Sequence, residues 1–421
     1  MAFGFSKSTV SPIAIDFGFD SLKVLQIHLT DPPQMVAAGT VSVPEDSRRD
    51  GSARHAFMSD ALGNLLKQLP LNGRRAICSL PAYQTLVQNL QINKSDDEAV
   101  EAQVAQHLRE RLNMDPSRMV VRAFQEVEGG QSSGQNLVCV AASRQVVMRH
   151  IETAERAKLD VVGMHCEPLA ILRAFAYLYR RSGDEDRNTC FIDIGAATTK
   201  VVIAHGAKVA FAKTIHTAAD HLTKHYAQAH GLTIDEARRK RIEEGGTPVR
   251  QQAVTVHPSG QGAAAVQNDD TAVTLQSPSV RRSGVAVLDE NVSSSGDDRR
   301  GRDRPSGQQP LPTEGDGVVH TPLEGADALD CLIDELRLCI RYHQSVYPQR
   351  PVEKLVFLGG EARQVSTCQH VARSIRIGAQ LGDPLARIVC GDGGAPEGVN
   401  LREPQPGWAV PVGLCQCEPN L

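Results

Sequence analysis

The sequence predicts an α/β protein of two lobes, each a mixed β-sheet flanked by helices, with a smaller α+β unit inserted in the first lobe. Three segments carry that expectation. Ile13-Ala14-Ile15-Asp16-Phe17-Gly18-Phe19-Asp20-Ser21-Leu22-Lys23-Val24 reads as strand, turn, strand. Phe191-Ile192-Asp193-Ile194-Gly195-Ala196-Ala197-Thr198-Thr199-Lys200-Val201 repeats the pattern in the second half. Leu355-Val356-Phe357-Leu358-Gly359-Gly360-Glu361-Ala362 then ends a late strand on two glycines.

The elements follow in order. Residues 11–70 begin with alternating strands and close with a helix near Phe57–Leu69. Ala76–Leu80 and Thr85–Ile92 read as strands from their apolar and β-branched content. Ser95 with Glu98 forms a capping box for the next helix, and Ala99, Val104, Leu108 and Leu112 give that helix one apolar stripe. Strands near Met119–Val127 and Leu137–Ala142 and a helix near Gln145–Ala157 complete an inserted block, residues 75–162. Pro168 suits the first position of a helix, with Leu169, Leu172, Ala176 and Tyr177 facing inward. Helices near Ala218–His230 and Ile234–Glu244 follow the second hairpin. Residues 245–322 are rich in Ser, Gly, Asp, Arg, Gln and Pro, and such a stretch buries too little apolar surface to offset its ordering entropy. It is expected to be a flexible insertion. Leu329, Leu332, Ile333, Leu336 and Ile340 then mark an amphipathic helix, and Trp408–Leu414 is expected to pack back on the core. The expected lobes are residues 1–183 and 184–421.

Bulk properties narrow the function. A chain of 421 residues exceeds one simple core. A net charge of −4 gives no electrostatic reason to expect nucleic acid. No apolar run approaches the roughly 20 residues of a membrane span, and the first residues lack a signal-peptide core. The expected location is therefore the cytosol. The ten cysteines sit mostly in apolar strand or helix patterns and read as small buried hydrophobes. Cys415 and Cys417 lack the second pair or histidines of a metal site.

The two hairpins suit phosphate. A tight turn presents successive backbone N–H groups to an anion, and Gly18 and Gly195 allow close backbone approach. The turn residues Ala196 and Ala197 belong to the same cradle, with hydroxyls from Ser21 and Thr198. Lys23 reaches back toward phosphate. Asp16 and Asp193, at strand ends, have the position of carboxylates that hold a hydrated Mg²⁺. Gly359 and Gly360, followed by Glu361, would let a purine and ribose lie against backbone. No G-x-x-x-x-G-K-[ST] occurs.

The order of these motifs resembles the actin, sugar-kinase and DnaK-type ATPase superfamily. Within it the chain is similar to the PilM family of type IV pilus assembly and competence proteins, and more distantly to FtsA. Supporting residues include both hairpins, Ser79-Leu80-Pro81, Cys166-Glu167-Pro168-Leu169-Ala170, Ile234-Asp235-Glu236-Ala237, Asp334-Glu335-Leu336-Arg337 and Val412-Gly413-Leu414. The resemblance implies an actin-like ATPase fold around an ATP and Mg²⁺ cleft, with the 75–162 block as the extra subdomain. It implies Glu236 and Lys240 near the adenosine and Glu167 as the group positioning a water. It implies a cytoplasmic scaffold at the inner face of the inner membrane. That scaffold would hold the N-terminal tail of a PilN-like membrane protein, meet other pilus or secretion platform proteins, and touch the membrane only through these partners. Its groove would lie between the first sheet and the inserted block. Phe19 and Asp20 stand where the family usually has small hydroxyl residues, and Ala218-Ala219 where it often has Gly-Gly. The alternatives are an active ATPase or small-molecule kinase of the same superfamily, which would want Asp rather than Glu167, and an FtsA-like division scaffold.

Overall fold

The computed structural model describes residues 10–93, 97–112, 115–124, 134–245, 327–390 and 399–421. All of these fall in one unit formed by Met1–His257 and Gln309–Leu421. The second unit, Pro258–Gln308, the Ser95 cap and nearly all of the 245–322 insertion lie outside the described residues.

The first sheet is built from β1 (Ile13–Phe17), β2 (Ser21–His28), β3 (Gln34–Ser42), β4 (Arg75–Leu80), β8 (Asp160–Cys166) and β14 (Val389–Cys390) in the order β14-β3-β2-β1-β4-β8. It is mixed: β1 pairs antiparallel with β2 and parallel with β4. Between its strands run helices α1 (Glu45–Arg48) and α2 (Gly51–Gln68). Strand alternation sorts its residues. Ile13, Ile15, Phe17, Leu22 and Val24 pack on α2 and on α4 (Arg144–Arg156), while Ala14, Leu25 and Ile27 face the opposite side.

The second sheet has the order β11-β10-β9-β12-β13, from β9 (Asn188–Ile194), β10 (Thr199–His205), β11 (Lys208–Ile215), β12 (Lys354–Leu358) and β13 (Ala379–Leu381). Every residue of β9 and β10 is buried, as expected of central strands covered on both faces. Cys190, Ile192 and Ile194 pack on α8 (Ala328–Val346) and α9 (Val365–Ile375). Phe191 faces the other way, onto α5 (Glu167–Ala174). Helices α6 (Ala219–His230) and α7 (Ile234–Gly245) follow β11.

A third, three-stranded sheet has the order β5-β7-β6, from β5 (Leu86–Asn93), β6 (Met119–Phe124) and β7 (Gly134–Ser143), backed by α3 (Asp97–Leu112) through Val104 and Leu108. The sheet boundaries differ from the sequence expectation of 75–162. β4 and β8 belong to the first sheet, and α4 packs beneath that sheet, so the separate layer runs from β5 to β7. This layer also touches the second lobe. The Asn89 carboxamide donates to the Ala212 carbonyl (2.9 Å) and accepts from its N–H (3.2 Å), covering the edge of β11.

Two further boundaries differ. α2 starts at Gly51, six residues before Phe57, because Asp50 caps it through the Ser52 N–H (2.9 Å). α5 ends at Ala174, and Ala176–Tyr179 forms a 3₁₀ turn, so the buried set is Ala170, Ile171, Leu172, Ala174 and Phe175 rather than a stripe through Ala176 and Tyr177.

The chain ends on the first lobe. β14 joins β3, and α10 (Ala409–Leu414) packs on β1, β2 and α5. The Asn420 side chain donates to the Met164 carbonyl and accepts from its N–H (2.9 Å each), fastening the tail to the outer edge of β8. Residues of both sheets, α5 and α10 form one apolar cluster. The helices cross so closely that a Cβ on Gly413 would fall on the Ala170 carbonyl. All ten cysteines are free thiols, and eight of them are buried, as their apolar surroundings imply.

Two predictions follow from this packing. Gly413→Ala should cost roughly 3 kcal/mol by urea denaturation, since neither backbone can yield. Gly63→Ala, in α2 with nothing near its Cβ position, should gain about 0.5–1 kcal/mol. A second concerns His205 and His343, whose Nε2 atoms are 2.8 Å apart in the interior. Burial lowers them to about 3 and about 4 respectively. Groups lowered in the fold contribute stability above the unfolded value of 6.5, lost as pH falls toward the folded values. The urea midpoint should therefore drop between pH 6.5 and 4, and His343→Gln should make that slope shallower.

Candidate functional site

Each hairpin sets an aspartate opposite a lysine. In the first, register pairs Asp16 with Lys23 and Phe17 with Leu22. In the second, it pairs Asp193 with Lys200 and Ile194 with Thr199. Directly opposed residues of antiparallel strands point to the same face. The seven-residue spacing seen twice in the sequence is therefore what brings each ammonium to its carboxylate.

The two pairs are not equivalent. Lys23 Nζ lies 3.8 Å from Asp16 Oδ2 and donates to Ser21 Oγ (2.9 Å), with 18% of its side chain exposed. Lys200 Nζ is 3.2 Å from Asp193 Oδ1 and 3.1 Å from Glu167 Oε2, with only 9% exposed. Glu167 opens α5 directly after β8, and its Oε1 accepts the Ala82 N–H (3.1 Å). Asp16 Oδ1 accepts from the Ser79 hydroxyl (3.0 Å), which in turn accepts the Phe17 N–H (3.0 Å). Lys200 thus joins a second-lobe strand to the start of the helix that connects the lobes.

Burial raises the Asp16 carboxyl above the usual range, opposed by Lys23 and Lys200. It raises Glu167 likewise, opposed by Lys200. Burial alone would lower Lys200, but Asp193, Glu167 and Asp16 outweigh it and hold the ammonium well above its ordinary value. The lysine is charged at any working pH.

The Gly359-Gly360 strand end meets the second hairpin. Gly359 has φ +86°, and a Cβ there would strike the Ile194 carbonyl and Asp193 Oδ1, so only glycine fits. A Cβ on Gly360 would meet nothing. The second turn is closed by backbone: the Gly195 N–H donates to the Thr198 carbonyl (3.0 Å), and the Ala219 and Asp220 N–H groups of α6 donate to the Gly195 and Ala196 carbonyls (3.1 and 3.0 Å). Ala197 is half-buried in that turn.

Other expected site residues have structural partners. Glu361 is buried and paired with Arg241 of α7, which also donates to Thr223 Oγ1 (2.7 Å). Burial, opposed by Arg241, raises Glu361 to about 7. Glu236 is exposed and caps α7, accepting from the Thr233 N–H (2.9 Å) and hydroxyl (2.8 Å). Lys240 is exposed on the same helix. Ser21 donates to Asp20 Oδ1 (3.1 Å). Phe19 packs edge-on to Tyr83 (5.3 Å), with the Arg54 guanidinium over both rings (4.5 and 4.7 Å).

Sequence reasoning missed several parts. It quoted Lys200 only as a residue of the second hairpin, whereas the fold buries it between two carboxylates. It quoted Ser79 only as part of the resemblance and missed its bond to Asp16, and it missed the bridge in which Arg238 of α7 joins Glu45 of α1 (3.0 Å) and Asp220 of α6 (3.3 Å). The repeated Asp-to-Lys spacing was the one available signal.

The two aspartates expected to hold Mg²⁺ both have partners within the protein. Asp16 is engaged by Ser79 and Lys23, and Asp193 by Lys200. Among the described residues no group of three or more His, Cys, Asp or Glu side chains is arranged to hold a metal ion. The donors present do not fit a divalent ion while Lys200 stands where it does.

Residues 14–259, more than half of the chain, match the family model of the type IV pilus assembly protein PilM. No curated protein sequence matches the chain. A solved structure described as a PilM–PilN type IV pilus biogenesis complex aligns over 97% of this chain and 98% of its own, with 16% identity and a TM-score of 0.66. That likeness shows a shared actin-like fold. Ethanolamine utilization protein EutJ from Carboxydothermus hydrogenoformans aligns over 98% of this chain and 91% of its own, at 11% identity and a TM-score of 0.46.

Removing the buried cation should expose its role. Lys200→Met leaves Glu167 and Asp193 buried without a counter-charge and should cost about 3–5 kcal/mol near neutral pH. Carboxyls whose folded values are raised stabilise below their unfolded values and lose that contribution as pH rises. The loss in urea denaturation should therefore be smallest near pH 4 and grow toward pH 8.

Proposed function

The chain belongs to the PilM family of type IV pilus assembly proteins, and we propose that it is an ATP-binding scaffold of a type IV pilus or type II secretion-like machine. On this proposal it works at the cytoplasmic face of the inner membrane and holds the N-terminal tail of a PilN-like membrane protein. The observation that carries the nucleotide part is the meeting of the second Asp–Lys hairpin with the Gly359-Gly360 strand end. Gly359 brings backbone against Asp193, and Gly360 leaves open space beside it. The phosphates would lie against the hairpin turns, with Lys23, the less buried lysine, free to swing onto them.

The same geometry favours a scaffold over a fast enzyme. In-line attack on a terminal phosphate needs a group that positions water. Both oxygens of Glu167 are already engaged, one by the Ala82 N–H and one by Lys200. ATP would stabilise the closed arrangement of the lobes that Glu45, Arg238 and Asp220 already bridge.

For the partner, support comes from the fold shared with a chain solved as a PilM–PilN complex. An extended tail can add to an open sheet edge. In the three-stranded sheet β7 is central, and β5 faces β11 through Asn89, which leaves β6 as the edge for a partner strand. Phe124 of β6 packs on the cluster shared by the two sheets, and Val120 on the cluster formed with α2 and α4, so that edge would border the proposed groove.

Calorimetry of a PilN-like N-terminal peptide with the full chain, with and without ATP, checks the proposal. Binding should occur and tighten with ATP. Ala123→Pro, which removes a β6 N–H, should weaken it by about tenfold or more. No binding under either condition would contradict the partner assignment.

A further inference from the structure

The family fold implies a divalent ion between the phosphates and the two hairpin aspartates, yet that position is contested by a side chain of the protein itself. Lys200 Nζ stands within 3.2 Å of Asp193 and 3.1 Å of Glu167, and its charge also acts on Asp16. Mg²⁺ demands oxygen ligands at about 2.0–2.1 Å in near-octahedral order and keeps several waters. An ammonium ion-paired with the same oxygens excludes that shell. Lys200 cannot step aside cheaply, because its strand is central and its side chain is 9% exposed.

Charge supports the same point. Asp16, Glu167 and Asp193 are three buried carboxylates close enough to act on one another. An anionic ligand could not approach them uncompensated. In a metal-dependent site the divalent ion supplies the compensation. Here Lys200 supplies it permanently, and Lys23 adds a second positive charge beside Asp16. The lysine is also fixed by two partners, so it is preorganised where a metal would have to be recruited.

We infer that Lys200 is the resident cation of the cleft, standing in the place of a divalent ion, so that the site takes a nucleoside polyphosphate without a metal. This rests on the reading of the cleft as a nucleotide site. Asp16 and Asp193 are then holders of lysines rather than metal-water ligands.

Two measurements on the full chain separate this inference from the nucleotide reading itself. The first is ATP binding in excess EDTA against excess Mg²⁺. Affinities within about threefold of each other are expected for the wild type, while a loss of about tenfold or more in EDTA would overturn the inference. Lys200→Arg should keep the EDTA binding, and Lys200→Ala should lose it and regain it with Mg²⁺. Failure of ATP to bind in either buffer sinks the nucleotide reading and leaves the second measurement to decide the lysine's role. That measurement is electron paramagnetic resonance of Mn²⁺ alone with the nucleotide-free chain, with thermal melting to verify that the variants fold. Mn²⁺ bound to Lys200→Ala and not to the wild type is the expected result. Mn²⁺ on the wild type, or on neither chain, overturns the inference.

Discussion

The ammonium of Lys200 is the contact on which the two lobes depend. It comes from the second sheet, it reaches the carboxylate that opens the connecting helix α5, and it is held against its own cross-strand aspartate. A buried charge is costly unless paired and hydrogen-bonded. The surrounding structure meets that condition: Glu167 is fixed by the Ala82 N–H, and Asp16 by Ser79. These links come from β1, β4, the turn after β4, α5, β9 and β10, so their relative positions are set together. Such an arrangement specifies geometry more than it adds stability.

The apolar framework allows that geometry to persist. α5 leaves the first sheet and α10 returns to it, and they touch backbone to backbone at Ala170 and Gly413. Their outer faces bury Phe191 and Val202 of one sheet with Ala14, Leu25 and Ile27 of the other. A shared core resists sliding of one lobe over the other. Away from it, the lobes meet through the Glu45–Arg238–Asp220 bridge, which is partly exposed and therefore weaker. The tight crossing makes one part of the contact between the lobes rigid, and the exposed bridge leaves the other part weaker.

The fold was legible in the sequence where local signals agreed. Both hairpins, the late Gly-Gly strand end and the α8 stripe stand where their patterns put them, because turn glycines and apolar spacing act over a few residues. The insert boundaries were less legible. Arg75–Leu80 and Asp160–Cys166 look like any short strands, and only their parallel pairing with β1 and with each other assigns them to the first sheet. The early start of α2 was hidden by Gly51, a poor helix former that Asp50 capping and burial of Met58, Leu62 and Leu65 override. At the site, residue types were readable but roles were not. Asp16 and Asp193 invite a metal on sequence alone. Whether a lysine fills that place depends on the register of the hairpin and on Glu167 arriving from the end of β8, in the other sheet. Glu236 and Glu361 were assigned to nucleotide by resemblance, and each has a partner that only the folded helices reveal, Thr233 and Arg241.

The most direct test of the account is a double-mutant cycle between Lys200→Met and Glu167→Gln, read by urea denaturation of the full chain at neutral pH. If the ammonium ties the second sheet to α5, the two changes are strongly non-additive, with a coupling of about 1–3 kcal/mol. Additivity within about 0.5 kcal/mol would mean that the two side chains act independently and that something other than this contact holds the lobes in register.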